Sequence, residues 1–133
     1  MKDRQLLVAG AVNMFIAVAA GAFGAHGLRS IVSPLMLSVW ETGVTYHLIH
    51  AMALLLIALA MPRLGEKALS WCGTLMLAGI VLFSGSLYLL VLTGARWVGV
   101  ITPIGGVAFL AAWASFAWAA WRAPERNLQI RDD

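Results

Sequence analysis

Charged residues are scarce in this chain of 133 residues. It contains 9 lysines and arginines and 6 aspartates and glutamates, which make up 11% of the sequence, whereas 62% of its residues are hydrophobic. A soluble domain of this length would carry about a quarter charged residues. The composition therefore excludes a soluble globular protein and indicates an all-α integral membrane protein that lies in the lipid bilayer.

Cysteine is also nearly absent. Cys72 is the single cysteine, which excludes an internal disulfide and any metal site built from several cysteines. The net charge of +3 does not indicate nucleic-acid binding, because the basic residues are scattered along the chain. The sequence shows no carboxylate pair, nucleophile triad or multi-ligand metal site. We therefore expect neither an enzyme nor a bound cofactor.

The chain has instead four long apolar runs. We predict transmembrane helices over residues 6–25, 40–61, 69–93 and 98–121. At 1.5 Å per residue, each is about 30 Å long or longer, enough to cross the hydrocarbon core of a bilayer. Residues 1–133 thus form a single bundle of four transmembrane helices with a charged tail at 122–133.

Two local patterns leave alternatives open. The basic start and the small residues Ala17-Val18-Ala19 also fit a cleaved signal peptide, although Asn13 and the alanines and glycines that follow favour a span. Ser33 before Pro34 predicts the start of a helix. Because Ser38 and Glu41 have the spacing of a second start signal, residues 34–61 form either one long helix or two.

The distribution of basic residues predicts the orientation. The N-terminus, the loop after the second span and the C-terminal tail fall on one side of the membrane. That side carries seven of the nine basic residues: Lys2, Arg4, Arg63, Lys67, Arg122, Arg126 and Arg131. Arg29 and Arg96 lie on the other side. By the positive-inside rule, both termini are expected in the cytoplasm, and in a bacterium the membrane is the inner one.

Polar side chains within the spans are the candidate functional residues, because polar groups at membrane depth usually face protein or water. Counting 1.5 Å per residue from the non-cytoplasmic side puts His47 at about 10 Å depth, His50 at about 15 Å and Asn13 at about 18 Å. The whole candidate site, centred on His50, is Asn13, Glu41, Tyr46, His47, His50, Ser84, Ser86 and Tyr88.

Each candidate has a structural and a functional interpretation. Glu41 is most simply the capping-box partner of Ser38, and alternatively a proton or cation ligand at an entry site. Ser84 and Ser86 are expected to bond to carbonyl groups of their own helix. Tyr46 and Tyr88 lie at depths that allow contact with the histidines.

His47 and His50 lie three residues apart and can share one helix face. A His-x-x-His pair is compatible with a metal ion, but a site needs further ligands, and haem would need axial ligands from opposite sides. We favour neutral imidazoles that hydrogen-bond to serine, tyrosine or asparagine on neighbouring helices and so hold the bundle in register. A proton-titrating or substrate-contacting role is the alternative.

Four motifs occur in order along the chain: GAFGAHGL at residues 21–28, YHLIHAMALL at 46–55, LFSGSLY at 82–88 and PIGG at 103–106. Together they resemble the YgdD-like small membrane proteins, also known as domain of unknown function 423 or uncharacterised protein family 0382, with the animal transmembrane protein 256 as a relative. Within that resemblance His50 matches the family histidine, whereas the position near His47 varies.

The resemblance implies a four-span protein of the cytoplasmic membrane with no established biochemical activity. It supplies no catalytic residues. We therefore expect a non-enzymatic, structural or accessory protein whose partner is a second copy or another membrane protein. The alternative is a small oligomeric transporter or channel that admits a proton, ion or small solute through Glu41, Tyr46 and His50.

Overall fold

The computed structural model of the protein describes residues 1–124 and is helical throughout. The α-helices are α1 Asp3–Phe23, α2 Pro34–Leu64, α3 Glu66–Gly79, α4 Gly85–Thr93 and α5 Thr102–Arg122. They are joined by the π-helical segments Gly24–Leu28 and Ile80–Ser84 and by the 3-10 turn Arg96–Val100. The charged tail that the sequence predicts falls mostly at 125–133, outside the described residues.

In residues 1–124 these elements combine into four helices that are long and apolar enough to cross a membrane. We number them span 1 Asp3–Leu28, span 2 Pro34–Leu64, span 3 Glu66–Thr93 and span 4 Arg96–Arg122. The predicted all-helical, four-span architecture is therefore confirmed. Each span is longer than the apolar run that predicted it, because helices continue past the hydrocarbon boundary into the interface. Only the end of span 3, at Thr93, coincides with the end of its predicted run.

Span 2 is one unbroken helix of 31 residues, which decides between the two alternatives for residues 34–61. Ser33 caps it by accepting a hydrogen bond from the Met36 backbone N–H at 3.3 Å, and Pro34 is its first residue. Pro62 does not stop the helix, which continues to Leu64. The chain turns at Gly65, whose φ of 105° is a conformation that other residues rarely adopt.

Span 3 contains a local change of helix type. The backbone N–H of Gly85 bonds to the Ile80 carbonyl, an i to i+5 bond that defines a π-helical turn. Such turns are rare and are found frequently at functional sites. α4 then ends at Gly94 in the left-handed conformation, with φ 71°, as glycine commonly permits at helix ends.

The bundle packs mainly between consecutive spans, α1 on α2, α2 on span 3 and α3 on α5. Two apolar clusters fill its interior. The larger, near the end that carries the N-terminus, includes Leu6, Leu54, Ile57, Leu69, Met76, Phe109 and Ala112. The smaller, near the opposite end, includes Leu28, Trp40, Val44 and Val91.

Small residues near the end of span 1 allow the close approach of α2. A Cβ added to Gly24 would lie 2.6 Å from the Trp40 ring, and one added to Gly21 would lie 3.3 Å from Val44. Trp40 is only 4% exposed, and its indole N–H donates to the Ala20 carbonyl at 2.8 Å. This tryptophan is therefore part of the interior.

Candidate functional site

The polar residues of the spans form a layer between the two apolar clusters. On α2, His47 and His50 lie between Val44 of the smaller cluster and Leu54 of the larger one. Both imidazoles are 4% exposed. Because the layer is enclosed by apolar residues on both sides, its polar groups must find partners within it.

His47 connects three spans. Its Nδ1 lies 3.2 Å from the Tyr88 hydroxyl of span 3, and its Nε2 lies 3.1 Å from Asn13 Oδ1 of span 1. The Asn13 amide N–H in turn donates to the Ala9 carbonyl at 2.8 Å. These groups form one continuous hydrogen-bonded chain across the bundle.

The donors of this chain can be assigned in order. Because the Asn13 amide nitrogen donates to Ala9, its Oδ1 faces His47 and accepts from Nε2–H. Nδ1 of the neutral ring then carries no proton and accepts from the Tyr88 hydroxyl. Every side-chain polar group of the chain has a partner with one consistent tautomer of His47. The arrangement suits a neutral imidazole that fixes the position of its neighbours.

His50 has a different set of partners. Its Nδ1 lies 2.7 Å from the Tyr46 carbonyl, one turn earlier on α2, and its Nε2 accepts from the Trp113 indole N–H of span 4 at 3.2 Å. The ring also stacks on Phe109 with 3.4 Å between centroids and 13° between planes. Because Trp113 can only donate, His50 carries its proton on Nδ1, the opposite tautomer to His47.

A third polar contact joins spans 3 and 4. The Ser86 hydroxyl donates to the Phe83 carbonyl at 2.8 Å and lies 2.7 Å from the Thr102 hydroxyl. Since the single Ser86 proton is used on Phe83, Thr102 is the donor to Ser86. Ser84 is fully buried, and its hydroxyl has no hydrogen-bond partner among the described residues.

Beside His50 a cavity of about 660 Å³ opens between spans 2, 3 and 4. We call it the aromatic groove. It is lined by Tyr46, Ile49, His50, Phe83, Pro103, Gly106, Val107, Phe109, Leu110 and Trp113. Phe83 belongs to the π-helical turn. Gly105 lets span 4 meet that turn backbone to backbone, because a Cβ there would lie 2.7 Å from the Leu82 carbonyl carbon and 2.8 Å from the Phe83 Cα.

The predicted site residues thus separate into two groups, two serines outside those groups and one outlier. Asn13, His47 and Tyr88 meet in the hydrogen-bonded chain, whereas Tyr46 and His50 line the aromatic groove. Ser86 bonds to a carbonyl of its own helix, as expected, and also contacts span 4. The same expectation for Ser84 is wrong, because its hydroxyl has no partner among the described residues.

Glu41 is the outlier. It is exposed and lies in the interior of α2, more than a turn after the true cap at Ser33. The capping-box interpretation of Ser38 and Glu41 is therefore wrong, because α2 begins at Pro34 with Ser33 as its cap and Ser38 lies inside the helix. His26 belongs to the π-helical segment at the end of span 1 and is exposed. Within residues 1–124 no group of three His, Cys, Asp or Glu is close enough to hold a metal ion.

Sequence reasoning missed Thr102, Phe109 and Trp113. A signal for Trp113 was present, since it lies about 13 Å from the end of span 4, away from the interface where tryptophan is common. A tryptophan at such depth needs a partner for its N–H, and a neutral histidine can accept that bond.

Comparisons with known proteins identify the family. The model of a family described as a protein of unknown function (DUF423) matches residues 20–106. The UPF0382 membrane protein YwdK of Bacillus subtilis is 48% identical over 118 residues, covering 88% of this chain and 96% of the relative. The UPF0382 inner membrane protein YgdD of Escherichia coli is 39% identical over 128 residues, covering 96% and 98%. No solved structure matches. The chain belongs to this family of membrane proteins, as its four motifs indicated.

Proposed function

We propose that this member of the family is a non-enzymatic, structural or accessory protein of the bacterial inner membrane. The carrying observation is the hydrogen-bonded chain through His47, in which the side-chain polar groups are paired with one another across three spans. A satisfied network at membrane depth fixes how helices are placed relative to one another. It offers no unpaired base or nucleophile for a reaction.

The accessory role requires a lateral partner, which is a second copy of the chain or another membrane protein. Large apolar side chains are exposed along the outside of the spans, for example Phe15 at 76% and Leu110 at 71%. In a bilayer these side chains meet lipid or a neighbouring helix. The short connections leave little chain outside the membrane for other contacts.

We further propose that both termini lie in the cytoplasm. Lys2 and Lys67 line one surface depression, and Arg63 and Arg122 line another, so the N-terminus, the connection after span 2 and the end of span 4 share one end of the bundle. The positive-inside rule assigns that end to the cytoplasm. The Escherichia coli relative is named an inner membrane protein, which supports the inner membrane as the location of this chain.

A reporter enzyme that is active only in the cytoplasm tests the orientation. Fused after residue 133, it should be active, and the same reporter inserted after Gly94, between spans 3 and 4, should be inactive. The reverse pattern would place the basic end outside the cell and overturn the assignment.

A small oligomeric transporter or channel is the second candidate, because Tyr46 and His50 line the same groove at membrane depth. Flux into proteoliposomes separates the two functions. A structural protein should give no flux of protons, ions or small solutes above that of empty liposomes. Flux that is present in the parent and lost in His50→Ala, with the variant still folded, would establish transport and reject the structural role.

A further inference from the structure

The aromatic groove takes no part in the hydrogen-bonded chain through His47, and its chemistry points to a ligand. Its volume of about 660 Å³ is within the range of about 300–1,000 Å³ that is usual for small-molecule sites. Ile49, Val107 and Leu110 at its edge are 51%, 64% and 71% exposed. These residues face the hydrocarbon of the bilayer, so the ligand must enter from the membrane. No charged residue lines the groove, which favours a neutral molecule.

Three of the five aromatic rings that line the groove share one orientation, whereas Phe83 is inclined by 55° to Phe109 and Trp113 by 60° to His50. Tyr46 is inclined by only 14° to His50, and His50 by 13° to Phe109. Tyr46 and Phe109 are themselves 27° apart, with 6.3 Å between centroids. Nearly parallel ring faces favour a flat conjugated ring that stacks against them. A saturated acyl chain has no such face.

One polar group in the groove remains available. Both His50 nitrogens are engaged, one by the Tyr46 carbonyl and the other by the Trp113 N–H. Tyr46 is 41% exposed, and its hydroxyl makes no hydrogen bond to another residue within 1–124. A hydroxyl without a partner in hydrocarbon costs free energy. A ligand with a carbonyl oxygen near its ring would satisfy this donor.

We propose that the aromatic groove binds the uncharged ring of a membrane-dissolved quinone. The ring lies with one edge toward Tyr46, whose hydroxyl donates to a ring carbonyl, and one face of the ring packs against the aromatic wall of the groove. The isoprenoid or alkyl tail leaves the groove past Val107 and Leu110 into the bilayer. The proposal concerns binding alone and includes no electron transfer. It goes beyond the structural role, which does not require a ligand.

Retention of a decyl-substituted benzoquinone by protein-containing nanodiscs, corrected for empty nanodiscs, tests the proposal. Two probes with the same tail are the controls: decylbenzene, which has a ring without an acceptor, and methyl decanoate, which has an acceptor without a ring. The quinone should be retained at least about tenfold more strongly than either control. Equal retention of all three probes would show that the groove binds only the alkyl tail, and would overturn the proposal.

A matched pair of variants on one helix locates the site. Val107 lines the groove and Ile104 does not, although their exposures, 64% and 59%, are similar. Val107→Trp should fill the groove and reduce quinone retention about tenfold, whereas Ile104→Trp should leave it within twofold of the parent. Equal retention by the two variants would overturn the proposal.

Tyr46→Phe removes only the hydroxyl. Loss of one hydrogen bond of about 0.5–1.5 kcal/mol predicts about twofold to thirteenfold weaker retention. Unchanged quinone retention in Tyr46→Phe would contradict the assigned hydrogen bond. A groove closed by a second copy of the chain would appear as a stable dimer that retains no quinone, and would also overturn the proposal. None of these outcomes changes the stability measurements that test the hydrogen-bonded chain.

Discussion

The two halves of the polar layer differ in how their groups are used, although both start from a histidine on α2. Around His47 three spans meet, and Asn13 and Tyr88 engage both ring nitrogens. Around His50 the rings of Tyr46 and Phe109 dominate, and a cavity opens beside them toward the membrane. The first region is closed by polar contacts, whereas the second is left open between apolar walls.

The helical repeat explains how neighbouring histidines reach such different surroundings. Three residues correspond to about 300° of rotation, so the two side chains point about 60° apart. That rotation is enough to direct His47 toward spans 1 and 3 and His50 toward span 4. A single turn of α2 therefore contributes both to the cohesion of the bundle and to the wall of a binding site.

The largest effect is expected beside the groove, where the backbones of spans 3 and 4 are in contact. A Cβ at residue 105 would overlap the backbone of the π-helical turn at Leu82 and Phe83. Backbone atoms cannot rotate away as a side chain can, so spans 3 and 4 must separate. We expect Gly105→Ala to lower the free energy of unfolding by about 3 kcal/mol, measured by titration with a denaturing detergent in mixed micelles.

Gly106→Ala is the control for this variant. A Cβ at residue 106 would meet the Phe83 ring at 3.8 Å, an ordinary van der Waals distance. Its effect on the free energy of unfolding should stay within about 0.5 kcal/mol. Equal stabilities for the two variants would contradict the close backbone contact between Gly105 and the π-helical turn.

The next largest effect compares the two histidines directly. His47→Leu leaves Asn13 Oδ1 and the Tyr88 hydroxyl without their shared partner, and we expect a loss of about 2 kcal/mol. His50→Leu removes one bond to another span, from Trp113, so a loss of about 1 kcal/mol is expected. The same detergent titration measures both. If His50→Leu proved the more destabilising, the groove wall and not the hydrogen-bonded chain would hold the bundle together.

The four spans were predictable from the sequence because a run of apolar residues has to match the thickness of the bilayer. The start of α2 at Ser33 and Pro34 was predictable as well, since a cap is a local interaction. Ser38 and Glu41 show the limit of such signals. The Ser-x-x-Glu spacing also occurs inside helices, and only the tertiary structure shows that the helix had already begun.

The partners within the polar layer were harder to predict. Depth counting separated Asn13 from His47 by about 8 Å, yet their side chains are in hydrogen-bonding contact. The count started span 2 at residue 40, whereas α2 begins at Pro34, so His47 lies about 9 Å deeper than the count assumed. Tilt and rotation of each helix, which decide these contacts, depend on packing of all four spans.

The smallest expected effect comes from removing one tyrosine hydroxyl in each region. Tyr88→Phe deletes the donor to His47 Nδ1 and should lower the free energy of unfolding by about 0.6 kcal/mol, the average for a hydrogen bond between membrane helices. Tyr46→Phe keeps the ring packing of the groove and should leave this free energy unchanged, because no residue in 1–124 accepts from the Tyr46 hydroxyl. Replicate detergent titrations of both variants beside the parent can resolve the difference. A destabilised Tyr46→Phe would mean that its hydroxyl already bonds within the protein, and the donor assigned to the ligand would be lost.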